Sequence, residues 1–376
     1  MQGTDPDRES VLQFGGGNFM RAFADLFLHE TNSSGGDHGR AVVVTSTVSD
    51  RSRWINQQSG RYHVVVRGLR ERQRIDETIH VCRALSRALS AESQWPQVLQ
   101  FATSEDLRWI LSNTTEAGLQ LSDDDRDPHE PPVSFPAKLL AVLSHRHQAG
   151  LQGLTILPCE LVDNNAERLH SLVLEQARRW RCSDVLLAWI SEQCHWVNTL
   201  VDRIVSGQPE EHPLLEQDAL LTVTEPFALW AVEDRGNLDL FDHAAILRIA
   251  DVTPYSLRKV RILNGAHTAL VAKAMPLGIE TVGDAIVDPD VQAWLRRLLE
   301  EEILPALGDR VEDASGFAEA TLERFANPWM QHRLRDIALH HETKVETRLR
   351  PTLDDFVDRF GRQPLLLSGI LDDRVR

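Results

Sequence analysis

The chain has 376 residues, 42% of them hydrophobic, and a formal net charge of −16 at pH 7. This length predicts two domains, and the negative charge argues against a nucleic-acid partner, because phosphate binding needs a basic face. We expect no membrane span and no secretory signal, and therefore a cytoplasmic protein whose four scattered cysteines are reduced thiols.

The first two thirds of the chain alternate strand and helix patterns. Helices are predicted at 18–30, 78–102 and 136–150. Strands are predicted at 11–14, 41–48, 62–68, 108–118 (leading into a loop) and 153–161. Because strands that alternate with helices form parallel sheets, residues 1–250 are predicted to form an α/β domain with a doubly wound, Rossmann-type sheet.

Helical periodicity dominates from Asp251 onward. Apolar spacing predicts helices at 255–274, 289–307, 315–326 and 329–349. Residues 251–376 are therefore predicted to form a mostly α-helical domain that contributes substrate-binding and catalytic residues.

The first chemical motif is 11-VLQFGGGNFMRAF-23, a strand followed by glycines and a helix. This geometry presents backbone N–H groups to a pyrophosphate. Met20 stands where a third glycine is usual, so a glycine-rich turn without a ligand remains an alternative. The predicted cofactor-binding residues here are Gly15, Gly16, Gly17, Asn18 and Phe19.

Two further segments follow predicted strands at the edge where dinucleotides bind. After the second strand, Asp50 is the nearest acid and predicts a hydrogen bond to a ribose hydroxyl, as in NAD-binding proteins. Arg51 beside it would instead suit the 2′-phosphate of NADP, so NADP is not excluded. The other segment, 112-SNTTEAG-118, adds Ser112, Asn113 and Thr114 as cofactor-binding candidates.

The segment 157-LPCELVDNNAERL-169 supplies two polar candidates for substrate binding. Glu160 follows an apolar strand, where a carboxylate is costly unless it is paired or functional. Asn165 opens a predicted helix, and its alternative role is that of a helix N-cap.

The segment 258-RKVRILNGAHTALVAKA-274 carries Lys259, Asn264 and His267 on an apolar helix. Asn264 and His267 share a face of an α-helix, but Lys259 and Asn264 lie about 140° apart around its axis. A partly desolvated lysine can remove an alcohol proton while hydride leaves carbon. These residues therefore form either a catalytic triple or a set of structural polar groups.

Four motifs in chain order resemble those of the mannitol dehydrogenase family, the long-chain polyol dehydrogenases. They are 112-SNTTEAG-118, 158-PCELVDNN-165, 200-LVDRIVSG-207 and 259-KVRILNGAHTAL-270. Within the family they are most similar to the branch that interconverts tagaturonate and altronate. The resemblance covers Val11 to Leu349 and implies metal-independent, nicotinamide-dependent chemistry on a small sugar acid.

The resemblance also implies roles for single residues. Lys259 corresponds to the catalytic acid/base, Asn264 and His267 to residues that bind substrate hydroxyls, and Lys344 to a lysine beside the substrate, where a cation suits a carboxylate. Family chains continue beyond the position of Arg376, so a shortened C-terminal domain is expected. Alternatives are a fructuronate or mannitol substrate, or a truncated relative that binds nucleotide without turnover.

Overall fold

The computed structural model describes residues 8–46, 49–70, 73–114, 118–126, 130–329 and 332–372. Unit 1 comprises Met1–Val66 and Ile79–Val252, and unit 2 comprises Arg67–Thr78 and Thr253–Arg376. The segment Arg67–Thr78 thus belongs to unit 2, although it lies inside the range predicted for the N-terminal domain.

Unit 1 is organised around a parallel sheet that contains six strands within the described residues, in the order β5-β2-β1-β6-β7-β8. In this order β1 is central, and successive strands are added first on one side of it and then on the other. That is the strand order of the Rossmann fold. The strands are β1 Glu9–Phe14, β2 Arg40–Thr45, β3 Tyr62–Arg70, β4 Gln73–Cys82, β5 Leu85–Ser90, β6 Trp109–Ser112, β7 Thr155–Pro158 and β8 His195–Trp196.

Two smaller sheets complete the β-structure. Their orders are β10-β11-β3-β4 and β13-β12-β9, and both contain parallel and antiparallel pairs. The remaining strands are β9 Thr199–Asp202, β10 Val205–Gly207, β11 Thr222–Thr224, β12 Leu229–Glu233 and β13 Ile246–Ile249. The predicted strand at 62–68 therefore exists, but it lies outside the parallel sheet.

The helices of unit 1 flank the parallel sheet. They are α1 Asn18–Arg21, α2 Ala24–Ser33, α3 Asp50–Gln57, α4 Ala91–Ala102, α5 Phe135–Gln148, α6 Asn165–Arg179 and α7 Asp184–Glu192. The single helix predicted at 18–30 is wrong, because Phe23 has non-helical φ −130° and ψ −102° and separates α1 from α2.

The helix predicted at 78–102 is correct only for its last part. β4 and β5 occupy the first part, and α4 begins at Ala91. Ala84, Leu85, Ala88 and Leu89 mimic the apolar stripe of a helix, but all four are buried in or beside a strand that pairs with β2. A strand buried on both faces lacks the polar alternation that identifies strands in a sequence.

Both faces of the parallel sheet are buried. On β1, Val11 packs into one apolar cluster and Leu12 into the other. On β6, Trp109 packs into the same cluster as Val11, and Ile110 packs into the same cluster as Leu12. Each such buried side chain contributes about 1.5–3 kcal/mol by leaving water, so the central strands hold the ends of the loops above them in place.

Unit 2 is helical apart from its segment of β3 and β4, and it has its own apolar core. Its helices are α8 Thr253–Arg258, α9 Gly265–Ala274, α10 Val282–Val287, α11 Pro289–Arg297, α12 Leu304–Leu307, α13 Ala314–Phe325, α14 Leu334–Ile337, α15 His341–Arg348, α16 Arg350–Phe360 and α17 Leu365–Asp372. The predicted fold class, a Rossmann-type domain followed by a helical domain, is confirmed. No helix among the described residues has both the length and the apolar character needed to cross a membrane.

Candidate active site

The turn after β1 needs glycine for steric reasons. Gly15 has φ +105°, and its N–H donates to the carbonyl of Val44 at 3.1 Å. A Cβ on Gly15 would lie 3.0 Å from the carbonyl oxygen of Asn113, and a Cβ on Gly16 would lie 2.9 Å from a methyl group of Val43. The turn is therefore wedged between the carboxyl ends of β2 and β6.

Arg21 fixes the far side of this turn, a role that the sequence analysis did not predict. Its buried guanidinium donates to the Gly16 carbonyl and to the Asn18 side-chain oxygen, both at 2.6 Å, and to the Thr222 hydroxyl at 3.1 Å. Its two terminal NH groups are satisfied in this way, which offsets part of the cost of burying the charge, whereas its buried Nε has no partner among the described residues. The side chain of Asn18 is thus part of the scaffold.

A cavity of about 660 Å³ opens at the carboxyl ends of β1, β2 and β6. Of the predicted cofactor residues, Gly15, Gly16, Asn113 and Thr114 line it. The others, which do not line it, are Ser112, Gly17, Asn18, Phe19 and Asp50. The volume falls within the usual range for small-molecule sites, roughly 300–1,000 Å³.

Glu160 lies below this cavity and supports one of its walls. One carboxylate oxygen accepts from the Ser112 hydroxyl at 3.0 Å, and the other accepts from the backbone N–H and the hydroxyl of Thr114 at 2.8 and 3.0 Å. Burial raises the pKa of Glu160, although these hydrogen bonds oppose the shift. The carboxylate therefore holds the Asn113–Thr114 segment against β7.

We predict that Glu160→Gln weakens nucleotide binding and lowers the free energy of unfolding by about 1–3 kcal/mol. The amide NH₂ has to face a hydroxyl or the Thr114 N–H, which leaves a buried donor without an acceptor. Thermal unfolding and NADH titration would measure both effects. The exposed Glu175→Gln serves as the control, and equal behaviour of the two variants would contradict this role.

Asn165 begins α6 but does not cap it, because Asn164, with φ +51°, occupies the N-cap position. The Asn165 amide nitrogen donates to the carbonyls of Pro158, Glu160 and Thr199 at 3.0–3.1 Å, and its oxygen accepts from the Thr199 N–H at 3.0 Å. These contacts tie β7 to β9. Substrate binding by Asn165 and Glu160 stays a prediction, and their described contacts are internal.

In unit 2, the helix that carries Lys259, Asn264 and His267 is not a continuous α-helix. Residues Lys259–Asn264 form a π-helical segment between α8 and α9, and the Gly265 N–H bonds to the Val260 carbonyl five residues back. In a π-helix residues five apart lie about one turn apart, so Lys259 and Asn264 share a face. On an α-helix, by contrast, the two residues would lie about 140° apart around the axis.

The three side chains differ in their surroundings. Lys259 and His267 are buried, whereas Asn264 is half-buried and its side-chain amide has no hydrogen-bond partner among the described residues. The His267 ring stacks on Phe325, with ring centres 4.2 Å apart, and its buried Nε2 also has no partner within that part of the chain. The face therefore presents polar atoms of Asn264 and His267 that no described residue satisfies.

His267 is neutral at neutral pH. Burial lowers its pKa well below the ordinary value, and the nearby basic side chains His332, Arg324, Arg348 and Lys259 lower it further. A neutral imidazole can accept or donate a single hydrogen bond to a substrate hydroxyl.

Lys344 lies on α15, close to the same group of basic residues. Its ammonium group donates to the Ile337 carbonyl at 2.7 Å. Burial lowers the pKa of His332, and the charge of Lys344 lowers it further. The His332 ring meets that of His267 edge to face, with centres 4.8 Å apart. The structure thus places Lys344 near the triple through His332.

The chain matches two family models, the mannitol dehydrogenase Rossmann domain over residues 9–240 and the mannitol dehydrogenase C-terminal domain over residues 251–371. It is 38% identical over 371 residues to the altronate oxidoreductase of Bacillus subtilis (strain 168). The match covers 95% of this chain and 77% of that relative. An altronate oxidoreductase of Klebsiella pneumoniae subsp. pneumoniae is 38% identical over 368 residues, covering 93% and 75%.

Two solved structures have a similar fold. A Pseudomonas fluorescens mannitol 2-dehydrogenase, in a ternary complex with NAD and D-mannitol, has a TM-score of 0.82 at 22% identity and covers 97% of this chain and 78% of that chain. A D-sorbitol dehydrogenase has a TM-score of 0.81 at 23% identity, covering 95% and 78%. The family resemblance of the four motifs is thus confirmed: the chain belongs to the mannitol dehydrogenase family and is an oxidoreductase that acts on CH–OH groups with a nicotinamide cofactor.

Proposed function

We propose that the protein is a tagaturonate reductase, that is, an altronate oxidoreductase, which uses NAD(H). The observation that carries this proposal is the group of basic side chains Arg324, Arg348 and Lys259 around the neutral His267. An anionic sugar acid suits such surroundings better than a neutral polyol does. The identity to two altronate oxidoreductases supports the same substrate.

Lys259 is proposed as the general acid/base. Its burial removes water from the amine, and the π-helical segment turns it to the face that carries Asn264. In the oxidative direction the neutral amine takes the proton of the reacting hydroxyl, and in the reductive direction the ammonium returns it. The bound nicotinamide supplies the accompanying hydride chemistry.

Asn264 and His267 are proposed to orient the substrate. The Asn264 amide would donate to the oxygen that becomes the carbonyl. The His267 Nε2, which has no partner among the described residues, would bond a neighbouring hydroxyl. Because burial and the nearby cations lower the pKa of His267 well below its ordinary value, the neutral ring is a weak base and holds that hydroxyl without competing with Lys259 for the proton.

The cavity of unit 1 fits a dinucleotide. Gly15, with φ +105°, lines the cavity, so the turn can bring its backbone close to a pyrophosphate. Gly15, Gly16, Asn113 and Thr114 would contact the cofactor directly, whereas Ser112, Gly17, Asn18 and Phe19 shape the turn around it. We propose NAD(H) as the cofactor because a Rossmann sheet with this turn is its usual site.

The function is tested by following the absorbance of reduced nicotinamide with purified protein, NADH and one substrate at a time. We expect rapid oxidation with tagaturonate and much slower oxidation with fructose, which lacks the carboxylate. Fructuronate as the better substrate would favour the other uronate reductase, and fructose a mannitol dehydrogenase. Folded protein that binds NADH without turning over any of the three would favour a relative that binds nucleotide without catalysis.

Lys344→Met is predicted to raise the KM for tagaturonate at least about tenfold, because a hydrogen bond to a charged group contributes about 1.5–3 kcal/mol. The slow turnover of fructose should stay unchanged, since fructose has no carboxylate. Arg335→Met, which removes an exposed cation of the same unit, is the control. Parallel losses with both substrates would show that Lys344 is structural.

We also propose that the enzyme works in the cytoplasm. All four cysteines are free thiols, and Cys82, Cys159 and Cys194 are buried. Free thiols persist in reducing compartments. Fractionation of the source cells, with the activity as marker, would test this location.

A further inference from the structure

The end of the cavity beside β2 is unlike the usual ribose site of an NAD-binding domain. Such a site places an aspartate or glutamate after the second strand to bind the ribose hydroxyls. Here the residues between Thr45 and Asp50 are all uncharged. Among the described residues that line the cavity, Arg51 and Lys138 carry charge and none is acidic.

Asp50 is directed elsewhere. Its carboxylate lies 3.0 Å from the guanidinium of Arg53, its side chain is 69% exposed, and it does not line the cavity. The ribose-binding role predicted for Asp50 stays a prediction, and the contact that the structure describes for its carboxylate is with Arg53. The capping box of Ser49 and Ser52 fixes the start of α3 and so sets the directions of these side chains.

Arg51, by contrast, lines the cavity beside the glycine turn. Its Cδ lies 3.8 Å from the position that a Cβ on Gly16 would take. The guanidinium forms no ion pair or hydrogen bond with any residue that the structure describes. An arginine with five unused donors at the end of the second strand has the chemistry needed to bind a phosphate on two oxygens.

Other sources of positive potential near this position are weak or already used within the protein. Burial and the nearby Arg51 charge lower the pKa of Arg21, whose terminal NH groups already donate to Gly16, Asn18 and Thr222. The helix that follows the glycines, α1, has only four residues, so its dipole is small. Lys138 is buried and donates to the Val133 carbonyl. Ser46 and Arg51 also line the cavity.

We propose that Arg51 binds the 2′-phosphate of the adenosine ribose, so that the enzyme accepts NADP(H) as well as NAD(H). This inference rests on the proposed function, which requires a nicotinamide dinucleotide in the same cavity. Arg51 would thus determine cofactor specificity, because NADH lacks the 2′-phosphate that the guanidinium would bind.

Direct binding tests this without turnover. Fluorescence titrations of the full chain with NADPH and NADH would be compared for the parent, Arg51→Met, Arg51→Lys and the control Arg53→Met. Displacement of bound NADH by 2′,5′-ADP and by 5′-AMP would measure binding of the adenosine half alone, because only 2′,5′-ADP carries the 2′-phosphate. The titrations should be repeated in added salt, because an exposed pair with phosphate weakens as ionic strength rises.

We expect the parent to bind NADPH within about tenfold of NADH. Arg51→Met should weaken NADPH and 2′,5′-ADP at least about tenfold and NADH hardly at all, with partial rescue by Arg51→Lys and no effect of Arg53→Met. Parent protein that binds NADH but binds NADPH about a hundredfold more weakly would overturn this inference and leave the proposed function intact. Protein that binds neither nucleotide would overturn the proposed function, and this inference with it.

Discussion

Lys259→Met is expected to slow NADH oxidation with tagaturonate by about 10²- to 10⁴-fold, the usual contribution of a general acid/base. Methionine keeps the unbranched apolar stem, so the buried position in the π-helical segment stays filled. NADH binding to unit 1 should be unchanged, because the cavity there is built from other residues. Stopped-flow absorbance and equilibrium titration would separate the two quantities.

The control for this variant is Lys273→Met, which removes another lysine of the same helical region, on α9. It should retain parental turnover. Parental turnover by Lys259→Met would show that another group moves the proton.

Asp25→Asn is expected to stabilise the protein increasingly as the pH rises. Asp25 lies on α2 and is 1% exposed. Gln13 donates to one of its oxygens at 3.3 Å, and the other oxygen has no partner among the described residues. Burial raises the pKa of Asp25 from 3.8 to about 7. The folded protein therefore keeps a proton that the unfolded chain releases.

The sign follows from proton binding. Between the two pKa values the folded state binds more protons, so the free energy of unfolding falls as pH rises, by about 1.4 kcal/mol per pH unit. Stability from this group is complete below pH 3.8 and is lost as pH passes about 7. Between pH 3.8 and pH 7 the free energy of unfolding therefore falls by about 4 kcal/mol because of this group.

Asparagine has a similar shape and does not titrate, so its advantage over Asp25 should grow by about 3 kcal/mol from pH 5 to pH 8. Urea unfolding at several pH values would measure it. The control is Asp123→Asn, because the Asp123 side chain is 97% exposed. An advantage of Asp25→Asn that stays constant with pH would show that Asp25 does not hold its proton in the folded state.

Asp25 also shows which information a sequence lacks. Its position in the segment after the glycine motif gives no sign of burial, since α2 also contains polar residues such as His29 and Glu30. Arg21 is a similar case, because its partners Leu220 and Thr222 lie about two hundred residues away in the chain. Contacts of that separation leave no local pattern in the residues around either partner.

Glu160 and Asn165 show the same limit at the candidate site. The sequence placed both at the ligand-binding edge of the sheet, and both lie there. Which way each side chain points depends on β6 and β9, which the fold brings alongside. Position relative to a strand end could therefore be predicted, whereas the choice between a ligand and a neighbouring loop could not.

The amino-acid sequence by itself determined the parallel sheet, the glycine turn at Gly15 and the helical second unit, because each depends on local periodicity or on a short motif. The catalytic role of Lys259, Asn264 and His267, which the family resemblance implies, stays a prediction. Only the tertiary structure decided that β5 is a strand and that Asp50 pairs with Arg53 and leaves Arg51 at the cavity. It also decided that a π-helical segment aligns Lys259 with Asn264. These features depend on packing against distant residues, since the local sequence is equally compatible with an ordinary α-helix or a solvated loop.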